Sequence, residues 1–196
     1  MWRAGHNFPV LRFIAATLSA FLLAPLSALY CAQNSAVALD GAAADPFQKS
    51  PGKIVVLVFV RTDCPISNRY APAIQQISAK FEGRAAFWLV YPDKSETAEK
   101  IRQHEREYKY NLPAVRDPQH NLVKLAKALV TPEVAVFDAT RHLTYHGRID
   151  DLYRDLGRAR HAPTTHELGD AIQAVLDGHA PPTSAPGVGC FISDLE

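Results

Sequence analysis

Reactive chemistry in this chain centres on cysteine, and there are three: Cys31, Cys64 and Cys190. Cys64 lies in Thr62-Asp63-Cys64-Pro65, after the apolar run Ile54–Val60 and before a stretch with helical periodicity. The thiol therefore opens a helix. There it faces unpaired backbone N–H groups and the positive end of the helix dipole, which favour the thiolate, the species that attacks disulfides. Arg61 and Arg69, if turned toward the sulfur, push the same way, and Asp63 opposes them. Ser67, three residues on, offers a hydroxyl that can donate to the sulfur, and Pro65 suits a first helical turn, where a missing N–H costs nothing. The bland alternative is a small buried apolar cysteine or half of an inert disulfide. Of the eight histidines, His142 and His146 share a face of one predicted strand, and His161 and His166 flank Ala-Pro-Thr-Thr. Imidazoles beside a soft sulfur would suit copper, although histidines of this kind usually face solvent. There is no Cys-x-x-Cys for a zinc ribbon or covalent haem, no Gly-rich phosphate loop and no G-x-S-x-G.

The elements that must position Cys64 follow from periodicity. Lys53-IVVLVFV-Arg61 reads as a fully buried strand, ISNRYAPAIQQISAK as a helix ending at Gly83, and Ala85–Tyr91 as a second buried strand. A charged helix is predicted over residues 96–109, capped by Ser95, with Glu96 and Lys100 as an i,i+4 pair and Glu105, Arg106, Glu107 and Lys109 on a solvated face. A short helical stretch follows over Asp117–Ala128, then a hairpin of EVAVFD (133–138) and HLTYHGRI (142–149). A last amphipathic helix spans 165–178 and presents Leu168, Ile172 and Val175 on one face. Helices between the early strands imply parallel pairing, and the late hairpin is antiparallel. The predicted fold is α/β, a mixed sheet of four to five strands in a three-layer α/β/α sandwich.

The N-terminus has a different character. Arg3 and Arg12 precede an uncharged apolar run from Phe13 to Tyr30, and Ala36-Val37-Ala38 has the form of a signal-peptidase site. Residues 1–38 are therefore expected to be a signal peptide and 39–52 a tether, with the domain over 53–180 and an irregular tail over 181–196 carrying Cys190. An uncleaved anchor competes with this, but an 18-residue run interrupted by Pro25 is short for a membrane span. A lipid-bearing Cys31 would need a small residue before it, and Tyr30 stands there. Any membrane contact is thus expected only through this segment. Twenty-one basic against 20 acidic residues leave a net charge of +1, which excludes an electrostatically driven nucleic-acid binder. Removing the signal leaves Cys64 and Cys190, an even count suited to an oxidising compartment.

The segments TDCPISNRYAP and HGRIDD, with Pro72 five residues after Ser67 and Val130-Thr131-Pro132 before the hairpin, resemble the thioredoxin-like superfamily. Within it, they look most like exported redoxins of the thiol-specific-antioxidant/alkyl hydroperoxide reductase group. The resemblance covers residues 50–178 and implies Cys64 as nucleophile in a variant C-x-x-C, Cys64-Pro65-Ile66-Ser67. It also implies a cis-proline at Pro132, whose neighbour Thr131 offers backbone for pairing with an extended substrate. The chain departs from the family pattern where a second motif cysteine would stand, at Ser67. It also departs from the peroxidase signature P-x-x-x-T-x-x-C, having Leu57 and Arg61 at the Pro and Thr positions, with Thr62, Arg61 and Arg69 as the nearby substitutes.

The resemblance therefore implies an exported thiol–disulfide oxidoreductase acting through Cys64, with a thiol or disulfide protein or small molecule as partner and no cofactor or resident metal. The alternatives are a thiol-dependent peroxidase, and a non-catalytic or copper-handling binding module of the same fold. Copper chaperones of this fold use a paired C-x-x-x-C, which this chain lacks. Since Ser67 cannot resolve a mixed disulfide, Cys190 in Gly187-Val188-Gly189-Cys190 is a candidate resolving thiol, a structural staple or an unpaired cysteine.

Overall fold

A computed structural model describes residues 36–193 and 195 of the chain. It begins with two short strands, β1 (Ala36–Ala38) and β2 (Ala43–Ala44), followed by β3 (Ile54–Phe59), helix α1 (Pro65–Lys80) and β4 (Ala85–Tyr91). Then come α2 (Ala98–Glu107), β5 (Ala114–Arg116), α3 (Asn121–Ala126), β6 (Val130–Thr131), β7 (Glu133–Phe137) and β8 (Leu143–Gly147). The chain closes with a small hairpin, β9 (Tyr153–Asp155) and β10 (Arg158–Ala159), helix α4 (Glu167–Leu176) and β11 (Cys190–Phe191).

The main sheet has the order β2-β1-β5-β4-β3-β7-β8, with β3 parallel to β4, β4 parallel to β5, and β3 antiparallel to β7. Every residue of β3 is buried because the sheet is covered on both faces. Its side chains alternate. Val56, Val58 and Val60 pack with Ile66, Tyr70 and Ile74 of α1 and with Leu168 and Ile172 of α4, while Val55, Leu57 and Phe59 pack with Leu122 and Val123 of α3. These are the three layers expected, and the α/β class holds.

The sheet is wider than the four to five strands expected. Strands β1, β2 and β5 are two or three residues long and alanine-containing, too short to show period-two alternation. Residues 39–52 are part of the domain and not a free tether. Phe47 is buried and meets Phe137 edge-on at 5.0 Å, and Asp45 Oδ1 accepts the Phe47 N–H at 2.8 Å. One aromatic among small and polar residues suffices to dock the segment, and composition alone hides this.

The expected signal peptide lies outside the described residues except at its end, where Ala36–Ala38 forms β1 and pairs with both β2 and β5. A cut after Ala38 would strip that strand and leave the outer edge of β5 unpaired. The tail is also part of the fold: β11 pairs antiparallel with β6, and Ile192 is buried against the α3 side of the core.

Candidate functional site

The polypeptide leaves β3 and reaches Cys64, the N-cap of α1, in an extended conformation. Pro65 opens the helix, and the Cys64 carbonyl accepts from Asn68 N at 3.0 Å. Hydrophobic burial of Ile66, Tyr70 and Ile74 fixes the helix on the sheet and holds its N-terminus, with the sulfur, at the end of β3. The loop before the cysteine is held from behind. Glu96 Oε1 accepts the Thr62 N–H at 2.6 Å, and Asn68 Nδ2 donates to Thr62 O at 3.1 Å.

Asn68 Oδ1 is thereby left as an acceptor for His104 Nε2, 2.8 Å away. His104 Nε2 then carries the proton, and its Nδ1 accepts from the Tyr91 hydroxyl at 2.9 Å. Burial favours this neutral histidine by lowering its pKa and favours the un-ionised Tyr91 phenol. The chain of bonds ties α1, α2 and the end of β4 to the loop that presents Cys64. Glu96 was expected to pair with Lys100 on a helix. Instead Thr97 caps α2 through its hydroxyl, and the Glu96 carboxylate turns into the protein toward the loop.

Two sulfurs meet at the N-terminus of α1. Cys190 Sγ donates to Cys64 Sγ at 2.8 Å, and Cys64 Sγ donates to Thr131 O at 3.1 Å. Cys64 is wholly buried and Cys190 partly exposed. Burial opposes ionisation of Cys64, but hydrogen bonds from Cys190 and from Ser67 outweigh it and bring its pKa below that of an ordinary thiol. The buried Ser67 hydroxyl has no other partner and is free to turn to a thiolate. Burial, together with the bond donated to Cys64, pushes the Cys190 pKa up to about 11. The pair is polarised, with the negative charge favoured on Cys64 and the proton on Cys190.

Thr131 and Pro132 lie beside the sulfurs, and the peptide bond between them is cis. The backbone edge expected to receive an extended substrate is filled by the chain's own tail: Cys190 pairs with Thr131 and Phe191 with Val130. The other sequence-predicted residues divide. Arg61 is held by Asp63 at 3.0 Å and Asp93 at 3.1 Å, so its charge is largely offset, and what remains acts on Cys190. Arg69 does not turn to the sulfur; its guanidinium lies over the Tyr153 ring, 5.8 Å from the centroid. Thr62 contributes its backbone to the Glu96 and Asn68 bonds.

His142 and His161 are exposed, His146 is half-buried in β8, and His166 precedes α4. Among the described residues no group of three histidine, cysteine or acidic side chains gathers to hold a metal ion. The supporting set Glu96, Asn68, His104 and Tyr91 is not legible in the sequence, because its members come from three elements and the loop before α2, and only folding joins them.

A thiol at the start of the first long helix, facing a cis Thr-Pro bond beside the central strands, defines a thioredoxin-like redoxin domain. Residues 39–146 match the AhpC/TSA family, and the chain belongs to it. The match ends before the tail that carries Cys190. No curated protein sequence matches the chain. Among solved structures, it is similar to a hypothetical protein from Sinorhizobium meliloti (23% identity, TM-score 0.68, covering 81% of this chain and 88% of that one). It is also similar to an uncharacterized conserved protein from Geobacillus kaustophilus (20% identity, TM-score 0.66, 81% and 86% covered). A third is the pneumococcal exposed lipoprotein thioredoxin from Streptococcus pneumoniae (18% identity, TM-score 0.52, 73% and 97% covered). At these identities the likeness is one of fold.

Proposed function

We propose that this protein is a thiol–disulfide oxidoreductase in which Cys64 attacks and Cys190 resolves. The observation that carries the reading is the 2.8 Å contact between the two sulfurs at the N-terminus of α1. The Cys64 thiolate attacks one sulfur of a substrate disulfide. That S–S bond breaks, the second substrate sulfur leaves as a thiolate and takes a proton, and a mixed disulfide with Cys64 remains. Cys190 then gives up its proton and attacks Cys64 Sγ, forming the Cys64–Cys190 disulfide and releasing the first substrate sulfur. The substrate gains two electrons and the protein loses two. The partner class is a thiol or disulfide protein or small molecule, and sulfur supplies all the chemistry. The basic, apolar N-terminal segment supports export, with processing upstream of Ala36 so that β1 is kept.

Mass-resolved thiol trapping tests the reading. After mild reductant, Cys64 and Cys190 should both be alkylated; after a small disulfide oxidant, the chain should lose two hydrogens and both sites should resist alkylation. A chain that keeps both thiols free under oxidant overturns it. Adding hydroperoxide separates the peroxidase alternative. Leu57 and Arg61 stand where peroxidases place Pro and Thr, so oxidation by peroxide is expected to be slow.

A further inference from the structure

The tail that fills the groove beside Cys64 shows what a substrate segment must look like to take its place. We infer that the protein selects extended polypeptide segments in which the reacting cysteine directly follows a glycine and has apolar residues two positions to either side. This rests on the thiol–disulfide reading above and names its substrate class.

Cys64 has no exposed surface, and Cys190 Sγ meets it on the side that opens when the tail lifts. A substrate sulfur reaches Cys64 through that opening, beside the Thr131 backbone with which Cys190 now pairs. The backbone there makes a demand of its own. Gly189 is buried against it, and a Cβ at that position would lie 2.6 Å from the Thr131 carbonyl carbon and 3.0 Å from Pro132 N, closer still to Thr131 O. Gly189 does not have a positive φ, so space and not backbone conformation requires the glycine. The obstacle consists of backbone atoms of the groove. Any strand seated in the same register meets it, whether it comes from this chain or another. Gly187, two positions earlier, is less constrained: its Cβ would meet Val130 Cγ2 at 2.8 Å, the end of a side chain that can turn away.

Side chains alternate along the tail as along any strand. Val188 and Cys190 pack against the core cluster that contains Cys64, and Ile192 is buried against the α3 side of the core, while Phe191 between them is 75% exposed. The positions two before and two after the cysteine therefore enter apolar surroundings, and the position just after it faces solvent. Gly187–Ile192 carries no charge, and a charged residue at either inward position would be desolvated without a partner.

The reaction balances. The Cys64 thiolate bonds to the sulfur of the substrate cysteine, the substrate S–S bond breaks, and the sulfur on its far side leaves with the electron pair and takes up a proton. Cys190 then loses its proton and bonds to Cys64, and the substrate cysteine leaves with the second electron pair. Docking of substrate and return of the tail use one groove in turn.

The test uses two full-length variants, Cys190→Ala and Gly189→Ala/Cys190→Ala, both with Cys31→Ala so that Cys64 is the one thiol. A side chain at 189 cannot share the groove, so the second variant holds it open. The probes are capped peptides of sequence Pro-Gly-Val-Gly-Cys-Phe-Ile-Ser whose cysteine is joined by a disulfide to thionitrobenzoate. Release of that coloured thiolate follows attack by Cys64. In the open variant, alanine for the glycine before cysteine should slow release roughly tenfold or more, while serine for the phenylalanine should change it by less than about twofold. Serine for the valine or isoleucine should slow release, and alanine at the earlier glycine should do so less than alanine beside the cysteine. All the peptides should react alike with glutathione. Equal rates for the glycine and alanine peptides overturn the inference. Cys190→Ala, whose tail still docks, should react more slowly with every peptide; equal rates in the two variants would overturn the shared groove. A Cys64 that fails to react even with the symmetric nitrobenzoate disulfide, which has no backbone to dock, overturns the thiol–disulfide reading itself.

Discussion

Replacing Gly189 with alanine should uncouple the two sulfurs while leaving the domain folded. A Cβ at 189 would lie 2.6 Å from the Thr131 carbonyl carbon and 3.0 Å from Pro132 N, and closer still to Thr131 O. All three are backbone atoms of the segment leading into β7, so none can rotate aside. The tail strand must move instead. It is held by the pairing of Cys190 with Thr131 and Phe191 with Val130, by Ile192 N donating to Leu129 O at 3.0 Å, and by burial of Ile192. Each such hydrogen bond contributes about 1 kcal/mol net. The isoleucine adds about 2 kcal/mol. Forcing an extra methyl into a packed contact costs about 1–3 kcal/mol, a large part of that total. At about 1.4 kcal/mol per factor of ten, the ratio of docked to undocked tail falls roughly 5- to 150-fold. The Cys64–Cys190 disulfide, titrated against a glutathione redox buffer, should weaken by a similar factor, and mixed disulfides on Cys64 should accumulate. The main sheet does not depend on β11, so thermal unfolding should shift by only a few degrees. A Gly189→Ala protein that closes its disulfide as readily as the unaltered chain would refute this account of the tail.

Four further outcomes are expected. The rate of Cys64 alkylation, followed against pH, should have its midpoint below the free-thiol value of about 8.5, and Cys190→Ala, which removes the hydrogen bond that Cys190 donates to that sulfur, should raise it. Ser67→Ala should also raise the midpoint, with little loss of stability because that hydroxyl has no other partner. Glu96→Ala leaves the Thr62 N–H without its acceptor and should cost about 1–3 kcal/mol in denaturant titration, with Glu96→Gln milder since an amide oxygen still accepts. The Asp117 carboxyl accepts from Asn121 N and Val123 N at the start of α3, and its burial there raises its pKa to about 6. The folded state therefore holds a proton that the unfolded state releases near 3.9, so stability should fall as pH rises from about 4 to 6. Asp117→Asn should flatten that decline; an unchanged slope would assign it to other groups.

Much of the framework is legible from residue pattern. The apolar run of β3 cannot be covered by water on either face, and so demands helices on both. Cys64 between that run and a helical stripe must lie at a helix N-terminus, where backbone N–H groups favour its thiolate. Pro132 beside Thr131 marks the neighbouring segment. These features are local: each depends on a few consecutive residues and on rules of periodicity and capping.

Three matters were decided only by tertiary structure. Ala36–Ala38 and Ala43–Ala44 have the composition of a processing site and a linker, and they become strands because β5 offers an open edge and Phe47 finds a pocket beside Phe137. Glu96 looks like a surface helix residue, yet it faces inward because the loop before Cys64 leaves the Thr62 N–H without a backbone partner. Cys190 lies 126 positions from Cys64, and no sequence periodicity relates them. They meet because the tail pairs with β6 and Gly189 leaves room against Thr131 for the backbones to touch. The sequence by itself determined where the Cys64 thiol stands, at a helix start that any reader of periodicity can find. Its partner was chosen by a long-range strand pairing, whose register depends on the packing of the whole sheet end.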